Sequence, residues 1–145
     1  MKKICSIALL IFLSCSPELS DDPIPPIIFE DIVLTLTLPE NINLNKDGGY
    51  RDLSLAYPNG GVRGIIVYRK NAITYLAFEK NCSYLPNEAG STVDVHSSTL
   101  YMLDASCGST FNWDGNPTGG PAWRPLRQYE TILNGVQLTI TDVVY

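Results

Sequence analysis

A single histidine, His96, is all the imidazole this chain has, and four cysteines, at positions 5, 15, 82 and 107, are all its thiols. No C-x-x-C pair and no H-x-x-x-H pair occurs, so the usual zinc spacings are absent. No glycine loop of the phosphate-cradling kind is present, and no G-x-S-x-G elbow that would raise a serine nucleophile. Asp94, His96 and Ser97 have the residue types of a hydrolytic triad. Neighbours on a strand point to opposite faces, however, and a solvent-facing histidine is the reading preferred here. Basic charge is also scarce, at 10 Lys and Arg against 15 Asp and Glu, which leaves nothing like a nucleic-acid footprint. No window from position 15 onward keeps a helical period, and 10 prolines with 11 glycines argue against more than a turn of helix. With 145 residues there is chain enough for one core.

What is present begins at the N-terminus. Lys2 and Lys3 precede an apolar run, 4–13, broken only by Ser6. The run is too short to span a bilayer but suits the apolar part of a secretory signal. Phe12-Leu13-Ser14-Cys15 then resembles the lipobox of a bacterial lipoprotein. The resemblance implies a signal peptide over 1–14, lipidation of Cys15 and attachment to a membrane. A plain cleaved signal with Cys15 as a spare thiol is the alternative. Cys5 has no apolar lead and does not compete. Ser16, where an Asp would suggest retention at the inner membrane, points to the outer membrane of the cell envelope.

Residues 15–31 are expected to be a tether, since Pro17, Pro23, Pro25 and Pro26 stand among Glu18, Asp21, Asp22, Glu30 and Asp31. Ser20-Asp21-Asp22 faintly resembles the acidic surface-export signal of Bacteroidetes-type lipoproteins, and a solvated linker explains the same composition. The remaining span, 32–145, is the expected domain. It holds ten acidic and eight basic residues, a net of −2.

Period-2 patterning runs through that domain and predicts an all-β fold. Ile32, Leu34, Leu36 and Leu38 alternate with Val33, Thr35 and Thr37. Leu53, Leu55 and Tyr57 repeat the pattern weakly, and 64–68 is a continuous apolar run suited to a strand covered on both faces. A turn over 69–72 and a returning strand over 73–78 follow, then short strands at 92–96 and 99–103. Asn134-Gly135 between 129–133 and 136–140 is a strong hairpin signal. The isolated carboxylates Glu79, Glu88 and Asp114 read as solvated surface groups.

Two segments stand apart: Asn81-Cys82-Ser83-Tyr84-Leu85-Pro86, and Asp104-Ala105-Ser106-Cys107-Gly108-Ser109-Thr110-Phe111 with its extension to Leu126. Together they resemble the two cluster-binding loops of the Rieske family. Gly108-Ser109-Thr110-Phe111 matches the G-S-x-F part of the second motif, Gly115 a turn glycine, and Gly120-Pro121-Ala122 the proline loop. The resemblance covers about 32–142 and implies a Rieske-like antiparallel β-sandwich with two apposed loops. A Rieske cluster takes two thiolates and two imidazoles. Aligned this way, Cys82 keeps its place, while Tyr84 replaces one histidine, Asp104 the second cysteine and Cys107 the second histidine.

The resemblance thus implies a fold that has lost its 2Fe–2S cluster, with no cofactor expected. It also places Cys82 and Cys107 close together, which in an oxidising compartment implies a disulfide. Such a bond closes a loop of about 25 residues, and the chain-entropy estimate gives it roughly 3–4 kcal/mol. The leading functional expectation is a non-catalytic envelope binding or structural module, its protein or glycan partner unnamed. A retained cluster with electron transfer is the main alternative. A glycan- or peptide-binding module using Trp113 and Trp123 is a third, although these two more simply roof the emptied cluster site.

Overall fold

The structure, a computed structural model, describes residues 22–54 and 62–145. The signal segment, Cys15, Leu55 and Tyr57 lie outside the described residues. The fold is all-β, as the period-2 patterning predicts. Its strands are β1 (Ile32–Thr35), β2 (Tyr50–Leu53), β3 (Ile65–Asn71), β4 (Thr74–Glu79), β5 (Val93–Val95), β6 (Met102–Asp104), β7 (Thr110–Phe111), β8 (Pro117–Gly119), β9 (Gln128–Asn134) and β10 (Gln137–Val144). Six form one antiparallel sheet in the order β1-β10-β9-β4-β3-β2, and four form a second in the order β5-β6-β7-β8.

The larger sheet curls around one core. Leu34 near one edge, Leu53 at the other, and Ile65, Val67, Ala77, Tyr129, Leu138 and Ile140 between them share a single buried cluster. Alternation on β3 and β4 sends Ile66 and Phe78 to the opposite face, where they meet Val93, Met102 and Phe111 of the smaller sheet. Ile65, Ile66 and Val67 are all fully buried, so this run is covered on both faces.

Several features depart from the sequence expectations. Strand β1 stops at Thr35 rather than at 38, the β3–β4 turn falls at 72–73 rather than over 69–72, and β6 starts at Met102 rather than at 99. A 3-10 helix, Pro39–Asn45, is longer than the single turn expected. It carries no helical period because its purpose is local: Leu44 plugs the curled core, while the side-chain amides of Asn41 and Asn45 donate to the carbonyls of Thr35 (2.8 Å) and Leu36 (2.7 Å). The β9–β10 turn is centred on Gly135 and Val136, one residue later than Asn134-Gly135, because Asn134 pairs with Gln137. Gly135 has φ +59° and Val136 does not share it, the pattern of a type II′ turn.

Two further departures concern burial. The segment expected to be a solvated tether is packed against the domain from at least Asp22. Ile24 and Phe29 are buried, and Phe29 meets Tyr129 edge-on at 5.1 Å. Arg127 donates to the carbonyls of Pro25 (2.6 Å) and Ile24, and Arg124 to that of Asp22. Prolines keep these residues extended, which leaves their carbonyls free for the two guanidinium groups. Glu79, expected at the surface, is fully buried.

Candidate functional site

Two loops face each other at one end of the smaller sheet, one between β4 and β5 and one between β6 and β7. The first starts from Glu79. Its carboxylate accepts from the backbone N–H groups of Val62 (2.7 Å), Arg63 (3.0 Å) and Asn81 (3.1 Å) and from the hydroxyl of Tyr129 (2.7 Å). Burial, and then the charge of Glu79, push the Tyr129 phenol well above its ordinary range, so it stays a donor. Arg63 spans the loop: its guanidinium donates to Asn81 Oδ1 (3.1 Å), Glu88 O (2.5 Å) and Ala89 O (2.6 Å). Lys80 ties the sheets together through ion pairs of 2.7 Å to Asp52 and to Asp94. Burial alone lowers its pKa, but the two carboxylates outweigh that and the net shift is upward.

The second loop is shaped by Asp104 and Ser109. Asp104, at the end of β6, is fully buried, and its Oδ1 accepts from Ser106 N (2.8 Å) and Ser106 Oγ (2.6 Å). Gly108 (φ +75°) turns the chain back. Ser109 is buried; its Oγ accepts from the Cys107 thiol (3.0 Å) and from the N–H of Ala122 (3.1 Å), holding the proline loop against the second loop.

Between the loops, Cys82 Sγ, Cys107 Sγ and a carboxylate oxygen of Asp104 all lie within 4.8 Å of one another. Cys82 is fully buried and Cys107 partly exposed, and the two are free thiols rather than a disulfide. Asp104 Oδ2 is buried and meets no nitrogen or oxygen donor; the Cys82 thiol is the donor beside this carboxylate. A depression of about 490 Å³ opens beside the group, with Cys107, Ser106, Tyr84, Leu85, Glu88 and Pro121 in its wall. Leu85 holds φ +48°, an uncommon conformation for a branched residue, at the loop tip that lines this depression.

Burial foremost, then the neighbouring Asp104 carboxylate, pushes the Cys82 thiol up to about 12 from an ordinary value near 9. Because the folded value lies above the unfolded one, the associated stability is full below the unfolded pKa and is lost as pH rises toward the folded one. Lys80, also shifted upward, acts in the same direction. Urea melts of the reduced protein are therefore expected to show stability falling as pH climbs past about 9. Iodoacetamide at pH 8 should alkylate Cys107 well before Cys82. Equal labelling of both in the folded state would contradict this burial.

The structure thus gathers three of the four positions singled out as former ligands, while Tyr84 packs partly buried against the same core and lines the depression. It does not bring the tryptophans together there. Trp113 stacks on Tyr68 (4.4 Å, 13°) and donates to Thr99 O (3.1 Å); Trp123 is half-exposed beside the Arg124 guanidinium (5.2 Å). His96 stacks on Tyr101 (4.3 Å) and hydrogen-bonds Ser98, apart from the sulfur–carboxylate group. A 2Fe–2S cluster of the Rieske type does not fit this donor set, which holds no imidazole and only three ligand atoms. Glu79, Arg63 and Ser109, which position the loops, carried no motif; only their partners reveal them. Among the described residues no helix is long and apolar enough to cross a membrane. No family model matches the chain, and no curated protein matches it.

Proposed function

We propose that the chain is a lipid-anchored protein of the cell envelope. On this reading its Rieske-like domain carries no cluster, catalyses nothing, and serves as a binding or structural module on the outer membrane. The observation that supports this reading most is the donor set. The loops keep the apposition that a cluster needs, yet between them stand two sulfurs and a carboxylate, with the only histidine elsewhere.

In an oxidising envelope the two sulfurs close as a disulfide, passing two electrons and two protons by exchange to a donor disulfide, which leaves as a dithiol. The buried, high-pKa Cys82 is a poor leaving group, so the bond acts as a staple rather than a shuttle. The purified protein is expected to be colourless, free of stoichiometric iron and sulfide even when prepared anaerobically, with the Cys82 and Cys107 peptides linked in a non-reducing tryptic map. A visible chromophore with iron and sulfide in equal amounts would favour electron transfer instead.

Anchoring is tested separately. The native protein should incorporate labelled palmitate and partition into detergent, and Cys15→Ala should abolish both. Label kept by the variant would refute lipidation at Cys15. Binding of a glycan or peptide through Trp113 or Trp123 has weaker support, since Trp113 is already occupied by Tyr68 and Thr99.

A further inference from the structure

We propose that the dithiol form of the Cys82–Asp104–Cys107 group is a binding site for one soft divalent cation of the zinc class. The inference rests on the cluster-free part of the reading above, and it assigns that site a ligand of different chemistry.

Three observations carry it. The first is the donor set itself: two sulfurs and one carboxylate oxygen suit a borderline-soft ion, and they come from two different loops, so an ion would bridge them. In tetrahedral zinc sites the metal–sulfur and metal–oxygen distances imply ligand atoms about 3.3–3.8 Å apart. Separations of no more than 4.8 Å leave about 1 Å to be closed by side-chain rotation.

The second observation concerns Asp104, whose carboxylate has the Cys82 thiol as a neighbouring donor. Asp104 Oδ2 is buried without any nitrogen or oxygen donor, while Oδ1 is already taken by Ser106. Closing the disulfide would take away the Cys82 thiol proton, the donor beside this carboxylate, and a buried carboxylate oxygen without a partner is costly. A cation between the loops satisfies it.

The third observation is the support around each sulfur. The N–H of Tyr84 already points at Cys82 Sγ (3.5 Å). Ser109 Oγ lies 3.0 Å from Cys107 Sγ and accepts from Ala122 N–H. When the metal displaces the thiol proton, the Ser109 hydroxyl can turn its own proton toward the sulfur while keeping the Ala122 bond. Outer partners of this kind orient metal ligands. The depression on the Cys107 side supplies an entry path and room for water as the fourth ligand.

Binding is balanced simply: one divalent ion enters, two thiol protons leave, and Asp104 supplies a carboxylate oxygen. Oxidation to the disulfide removes both sulfur ligands, so the metal-bound and disulfide forms are alternative states of one site.

The test uses the full chain carrying Cys5→Ser and Cys15→Ser, so that Cys82 and Cys107 are its only thiols. The protein is held reduced with a phosphine, and near-ultraviolet circular dichroism monitors its fold. Zinc chloride is titrated by calorimetry and cobalt chloride by absorption. The expected result is one ion per chain, about two protons released, and sulfur-to-cobalt charge-transfer bands. Asp104→Asn, which can keep the Ser106 bonds, should weaken zinc at least roughly 10-fold, and Cys107→Ser roughly 100-fold. Protein oxidised with diamide should not bind.

The proposal is overturned if the folded, reduced chain shows no saturable one-to-one binding. It is equally overturned if binding is unchanged by both substitutions, or if the oxidised form binds as well. Stoichiometric iron and sulfide in the purified protein would instead remove the cluster-free reading, an outcome the zinc titration cannot mimic.

Discussion

Glu79→Ala is expected to lower the unfolding free energy by about 3–5 kcal/mol, enough to unfold a marginal domain of this size. The residue is fully buried, and alanine leaves three backbone N–H groups and the Tyr129 hydroxyl without their acceptor. Each stranded donor costs about 1–3 kcal/mol, although relaxation keeps the sum below four independent losses. Tyr129→Phe removes only one of the four donors and should cost about 1 kcal/mol. In the double variant the loss should be smaller than the sum, because the hydroxyl no longer needs its partner. Urea melts with an unchanged m-value would read these differences as stability. A loss under 1 kcal/mol for Glu79→Ala would mean that water takes the place of the carboxylate on these donors.

The second large effect is expected at Gly120. It holds φ +78°, and a Cβ there would sit 2.5 Å from Ser109 Cα and 2.6 Å from Gly108 O. Both contacts are backbone, so neither can swing aside. Gly120→Ala should therefore cost about 2–4 kcal/mol and pry the proline loop from the second loop, breaking the Ala122–Ser109 bond. Gly108→Ala is the matched control. Its φ is nearly the same, +75°, but a Cβ there meets nothing within 4 Å. That variant should lose only about 1 kcal/mol, the conformational part alone. Equal losses at the two positions would mean that the close approach of the loops contributes nothing.

How far these features could be read from the sequence depends on how local their causes are. Ile65 to Val67 announce a doubly covered strand by composition alone, and the structure buries all three. The Asn134-Gly135 signal finds the right hairpin but not its centre, because the register is set by pairing across β9 and β10 rather than by the dipeptide. The packing of residues 22–31 was hidden for a different reason. Prolines and acids there look like a linker, and the arginines that hold the segment lie roughly a hundred residues further on. Glu79 was hidden in the same way: a lone carboxylate reads as surface until Tyr129 and the Val62-Arg63 backbone are brought to it. Cys82, Asp104 and Cys107 were legible as candidates through the resemblance, and the structure places them together. The surroundings of Asp104 Oδ2 follow from the tertiary structure alone.

The pairing of β1 with β10 bears on how quickly the domain can form. Ile32 lies opposite Ile140, so the first strand of the sheet has no neighbour until nearly the last residues exist. Closing so long a loop costs entropy before any contact compensates, and chains dominated by distant pairings fold in milliseconds to seconds rather than microseconds. Until β10 docks, Ile32 and Leu34 must therefore wait exposed, in an alternating apolar strand with an open edge. The β3–β4 hairpin, joined by a short turn, needs no such wait and is the natural nucleus. On this order of events the interval before β10 docks, rather than the folded state, is where the protein is most exposed to aggregation.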